Sequence, residues 1–97
     1  MTKVVYTVAA ERDLTAIAAY TLEHWGPQQC AKYLDLLERT CERIIPQNLT
    51  HALAVPHRSE LRRWRCERHV IYLRLLRGGS IEIVRVLHER MLPDNHL

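Results

Sequence analysis

The chain has 97 residues, 47% apolar and 26% charged, with three glycines, four prolines and a formal net charge of +3. This predicts one folded domain over residues 1–97, hiding roughly 60–65% of the unfolded chain's surface, and excludes collagen-like, disordered and disulfide-scaffold classes. No apolar run nears the roughly 20 residues that cross a bilayer, and the N-terminus lacks the apolar stretch of a secretion signal, so a cytoplasmic protein without membrane contact is expected.

Val4, Val5, Tyr6, Thr7 and Val8 have the β-branched and aromatic character of a strand, placed at residues 3–8. From Ala10 the period lengthens. Leu14, Ile17, Ala18, Thr21, Leu22 and Trp25 recur at steps of three and four, the stripe of an amphipathic helix with Glu11 and Asp13 in its first turn. Gly26 stops that helix and Pro27 starts the next, which predicts a helical hairpin with a very tight turn. The second helix carries Cys30, Leu34, Leu37, Cys41 and Ile44 on its apolar face and is expected to end at Pro46.

Residues 46–60 show no sustained period and read as a loop. Three strands follow, Leu61–Cys66, His69–Leu76 and Ser80–Leu87. Gly78-Gly79 predicts a two-residue type I′ turn between the last two, because both central positions of that turn need positive φ. Strict alternation along the last strand puts Ile81, Ile83, Arg85 and Leu87 on one face. A polar and basic tail begins at His88. The expected fold is α+β in the order β-α-α-β-β-β, a helical hairpin packed on one face of a small, mainly antiparallel sheet whose other face is partly open.

Charge divides the chain. Residues 1–50 carry five basic and six acidic side chains, whereas residues 51–97 carry nine arginines against five acids. Arg suits bidentate contact with carboxylate or phosphate, so an acidic or nucleic-acid-associated partner follows. The densest cluster is Arg58, Arg62, Arg63, Arg65 and Arg68 around Trp64, which either grips a phosphate backbone and stacks a base, or is a solvated strand face with Trp64 turned into the core. Arg85, His88, Glu89 and Arg90 form a second cluster, in which His and Glu have the chemistry for proton transfer near neutral pH.

Other chemistry finds little support. The three glycines all sit at turns, which leaves no phosphate loop, and the six histidines lack the i, i+4 spacing of a helical metal site. Ser59 and Ser80 have no glycines of a nucleophile elbow around them. Cys30, Cys41 and Cys66 read as reduced core thiols. The first two would lie about 16 Å apart on one helix, too far to bridge. Neither metal nor cofactor is expected.

The stretch Ala10-Glu11-Arg12-Asp13-Leu14, with Ile17, Tyr20-Thr21, Trp25-Gly26, Gln29 and Tyr33, then Arg68-His69-Val70-Ile71-Tyr72 and Ile81 to Met91, resembles the ParE toxins of type II toxin–antitoxin systems over nearly the whole chain. Cys30, where Ala is common, and Leu92-Pro93, where an acid is more usual, depart from that pattern. The resemblance implies a toxin of the RelE/ParE superfamily, neutralised by a ParD-like antitoxin, that traps DNA gyrase on cleaved DNA by binding and blocks replication without enzymatic activity. It also implies no sequence-specific DNA binding by the toxin alone. Target-contact candidates are Arg85, His88, Glu89, Arg90 and Met91 with the tail to Leu97, and antitoxin-contact candidates are Arg62, Trp64, Arg65 and Arg68. RelE relatives are instead ribosome-dependent mRNA endonucleases, a role for which Arg68, Arg85 and His88 are the available residues, although the chain has no Tyr after Tyr72 and no Lys after Lys32. A third reading is an inactive relic that only engages its antitoxin.

Overall fold

A computed structural model describes residues 2–97. Strand β1 (Val4–Tyr6) is shorter than the expected 3–8, because Thr7 caps the following helix instead: its hydroxyl accepts the Ala10 N–H at 3.0 Å. Helix α1 (Val8–Arg39) breaks at Gly26, whose φ of 84° and ψ of 172° are not helical. The two limbs fold back on each other, since the Cys30 thiol reaches the Ala18 carbonyl at 3.4 Å. A straight helix would hold those residues about 18 Å apart. The helical hairpin is therefore present.

Its second limb does not end at Pro46. A π-helical turn (Thr40–Ile44) leads into α2 (Ile45–Gln47), with Pro46 in the first turn of α2, where a missing N–H is tolerated. The wider turn shifts the apolar face by one residue. Leu37, Cys41 and Ile45 are buried at steps of four, and Ile44, expected inside, is 37% exposed. On the first limb Ile17 and Thr21 are buried, whereas Leu22 and Trp25, also expected inside, are 51% and 69% exposed.

The expected loop 46–60 contains a strand. β2 (Leu53–Val55) pairs antiparallel with β3 (Arg58–Cys66), which begins three residues before the expected Leu61. Three residues with an irregular register carry too little period to read from sequence. β4 (His69–Leu75) and β5 (Ile81–His88) complete a mixed sheet ordered β1-β5-β4-β3-β2, in which only β1 runs parallel to its neighbour. Gly78 and Gly79 adopt φ of 85° and 88°, as the hairpin turn requires. The loop is one residue longer than expected, closed around Arg77–Gly79 by the Leu76 N–H on the Ser80 carbonyl at 2.8 Å.

A bulge overturns the strict alternation in β5. Tyr72 opposes Arg85 and Leu73 opposes Ile83, so Val84 is the extra residue. Ile81, Ile83 and Val86 then face the helical hairpin, packed with Leu37, Cys41, Ile45, Cys66, Ile71 and Leu73. Leu87 joins Val55, Leu61 and Tyr72 in a second cluster on the opposite face. That face is not simply open, because Leu97 of the tail packs against it.

Candidate functional site

The second half of the chain places its arginines at both ends of the sheet. At one end, β3 and β4 are joined by a tight turn in which Glu67 takes φ of 52°. The Glu89 N–H donates to the Arg68 carbonyl at 2.8 Å, and Arg65 Nη2 meets Glu89 Oε1 at 2.8 Å. Two clusters more than twenty residues apart in sequence thus form one surface, with Arg65 and Glu89 paired and the Arg68 and Arg90 side chains exposed. Met91 and Leu92 lie exposed beside it, 43% and 65% accessible.

Behind this surface is a polar group set between sheet and hairpin. His69 and His88 are cross-strand partners with rings edge-on at 5.4 Å, and the Tyr33 hydroxyl from the second limb of α1 shares a 2.6 Å hydrogen bond with His69 Nδ1. Burial lowers the His69 pKa to about 4, assisted by the neighbouring His88 and opposed by Glu89 and Asp13. Burial likewise raises Tyr33. His69 is therefore a neutral ring at physiological pH. His88 turns Nδ1 to its own chain, accepting the Arg90 N–H at 3.2 Å.

Arg85 faces inward. Its Nε and Nη2 donate to the two carboxylate oxygens of Asp13 at 2.8 Å each, and Nη1 donates to the His96 carbonyl at 2.8 Å. Asp13 also accepts the Val86 N–H at 2.9 Å, taking the place of β1, which leaves β5 after Ile83 to enter α1. Among the target-contact candidates, Glu89, Arg90 and Met91 lie at the surface, whereas the guanidinium of Arg85 is occupied in joining helix, sheet and tail. The acid that anchors it was legible only as a helix-start signal. Nothing in the sequence pairs residue 13 with residue 85.

Among the antitoxin-contact candidates, Arg62, Arg65 and Arg68 are exposed, while Trp64 is half-buried against the core beneath the hairpin. At the far end of the sheet the β3–β4 ladder stops at the Arg62–Leu73 pair and the strands splay. Ser59, Glu60, Arg62, Arg74 and Arg77 are the polar residues lining the resulting hollow of about 420 Å³, with Glu60 paired to Arg58. Arg74 is held by Glu82 at 2.6 Å. Arg74 and Arg77 escaped sequence reasoning because they flank a turn rather than cluster in sequence.

The three thiols are unpaired, and burial pushes the Cys41 thiol up to about 12, which keeps it protonated and unreactive. Among the described residues no helix is long and apolar enough to cross a membrane.

Comparison with known proteins matches residues 4–93 to the family described as "ParE toxin of type II toxin-antitoxin system, parDE". The toxin ParE of Escherichia coli is 33% identical over 94% of this chain and 88% of its own length. Toxin ParE1 of Caulobacter vibrioides is 34% identical over 91% of this chain and 90% of its own. Among solved structures, a chain of the chromosomal ParDE system from P. aeruginosa superposes with a TM-score of 0.72 at 22% identity, covering 91% of this chain and 96% of that one. A chain of the RelBE2 toxin–antitoxin complex from Mycobacterium tuberculosis gives 0.68 at 17% identity over 90% and 96%. These two likenesses show that the chain shares the fold of those two chains.

Proposed function

This chain belongs to the ParE family of type II toxin–antitoxin toxins, and from that premise we propose that it inhibits DNA gyrase by binding, in the cytoplasm, and is held inactive by a ParD-like antitoxin. The surface made by Arg65, Arg68, Glu89, Arg90 and Met91 is the proposed target contact. It has free guanidinium groups beside exposed apolar side chains, a combination suited to a protein–DNA assembly. Inhibition then requires only that the toxin bind one gyrase–DNA state more tightly than the others.

The observation that carries a binding reading over the endonuclease reading is the engagement of Arg85. An endonuclease built on Arg68, Arg85 and His88 needs the second of these to face a phosphate, yet its fork is satisfied by Asp13 and the His96 carbonyl. His88 Nδ1 is likewise taken by a backbone N–H. The antitoxin is proposed to meet Arg65 and Arg68 with carboxylates and to cover exposed apolar groups such as Trp25 at the hairpin junction.

Supercoiling by purified gyrase, with cleavage complexes measured in parallel, tests the reading. Loss of supercoiling and accumulation of cleaved DNA at micromolar toxin, reversed by antitoxin, is the expected result. Unchanged supercoiling together with codon-positioned cuts in translated mRNA that vanish in His88→Ala would establish the endonuclease instead.

A further inference from the structure

Five of the nine arginines after residue 50 make no ion pair among the described residues. Arg58, Arg65, Arg74 and Arg85 are matched by Glu60, Glu89, Glu82 and Asp13, whereas Arg62, Arg63, Arg68, Arg77 and Arg90 are not. Arg63 instead donates to the Ala54 carbonyl at 3.2 Å. The four others fall at the two ends of β4: Arg68 and Arg90 at its start, Arg62 and Arg77 around the hollow where β3 and β4 separate.

The seven residues of β4 separate these ends by about 23 Å, the axial length of roughly seven base pairs of duplex DNA. A small anion or a single acidic side chain can occupy only one end. A linear polyanion with charge at every step of its axis meets both in any register. Ser59 adds a hydroxyl donor at the hollow, and because Arg74 Nε is taken by Glu82 at 2.6 Å, Arg62 and Arg77 are the guanidinium groups of this rim that make no ion pair among the described residues.

We infer that Arg62 and Arg77 at this hollow, where Glu60 is paired with Arg58 and Arg74 with Glu82, form a phosphate-backbone site for duplex DNA, acting with Arg68 and Arg90 at the other end of β4 and independent of base sequence. Its far end, at Arg62 and Arg77, lies outside the surface proposed for gyrase, whereas Arg68 and Arg90 belong to both. The site would let the toxin hold the DNA segment that enters the enzyme, in addition to any contact with protein.

Fluorescence anisotropy of the full chain against a short random-sequence DNA duplex, across a series of salt concentrations, tests this without gyrase. Each phosphate contact contributes about 0.9 to the slope of log affinity against log salt, so the double variant Arg62→Ala, Arg77→Ala is expected to lower that slope by about 2. Arg62→Lys, Arg77→Lys should keep it, because the charge is retained. Neither side chain makes an ion pair, so both variants should unfold at the wild-type urea midpoint. An unchanged slope in the alanine variant overturns the inference. So does equal displacement of the duplex by a glutamate-rich peptide at the same charge concentration, which would assign the hollow to an acidic protein segment. Gyrase inhibition is read separately, and either result leaves that reading standing or falling on its own assay.

Discussion

The Asp13 carboxylate receives both arms of the Arg85 guanidinium and the Val86 N–H, and so joins the first turns of the helical hairpin to the strand β5 at the point where β1 has left it. Both side chains are largely shielded, 14% and 22% exposed. Asp13→Ala leaves a shielded guanidinium and a backbone donor without their acceptor. A loss of about 2–3 kcal/mol is expected in urea unfolding. A midpoint within error of wild type would mean that the pair is replaced by water at no cost.

The π-helical turn makes opposite predictions for neighbouring residues. Ile45 is fully buried and Ile44 is 37% exposed. Ile45→Ala should destabilise by about 2–4 kcal/mol and Ile44→Ala by at most about 1 kcal/mol. The reverse order would restore the regular helical stripe that the sequence spacing implies.

Gly26 tests the hairpin junction. At φ 84° and ψ 172° it occupies a region open essentially to glycine alone, although a Cβ there would meet no neighbour within 4 Å. Gly26→Ala should therefore cost about 1–3 kcal/mol through backbone strain rather than through a clash. Thermal unfolding of the two proteins gives the difference.

The neutral His69 makes stability depend on pH. Its pKa falls from the ordinary 6.5 to about 4 in the fold. Below pH 6.5 the unfolded chain takes up a proton that the native ring refuses, so stability declines as pH falls toward 4 and levels off beneath it. Unfolding free energies measured across this range should slope downward with acid in the wild type and less steeply in His69→Phe. Equal slopes would place the acid sensitivity elsewhere.

For target contact, Arg68 and Arg90 are exposed and make no ion pair among the described residues. Arg68→Glu with Arg90→Glu should raise the toxin concentration that half-inhibits gyrase by about tenfold or more while leaving the urea midpoint unchanged. Undiminished inhibition would remove this end of the sheet from the proposed interface.

Much of the fold was legible in local pattern. Steps of three and four in residues 14–25 and 30–44, the Gly26-Pro27 junction and β-branched runs followed by Gly78-Gly79 each report backbone conformation within a few residues, and conformation at that range is governed by sterics and side-chain period. The family resemblance was legible in the same way, as residues standing at matching positions. Three features were not: the π-turn that exchanges Ile45 for Ile44, the bulge at Val84 that sends Leu87 to the second face, and the three-residue strand β2. Each departs from regular period by one residue or falls below the length at which period has meaning.

The functional surface divides along the same line. An arginine-rich second half is a property of composition, and the sequence by itself determined that guanidinium groups are the cations this part of the chain has to offer a partner. Which of those groups are free was decided only by tertiary structure, because ion pairing depends on distance through space. Asp13 captures Arg85 across 72 positions and Glu89 captures Arg65 across 24, while Arg62, Arg68, Arg77 and Arg90 make no ion pair among the described residues. Folding shields the Asp13–Arg85 pair, where an unmatched ion would be costly, while the pair of Arg65 with Glu89 and the unpaired arginines stay in contact with water.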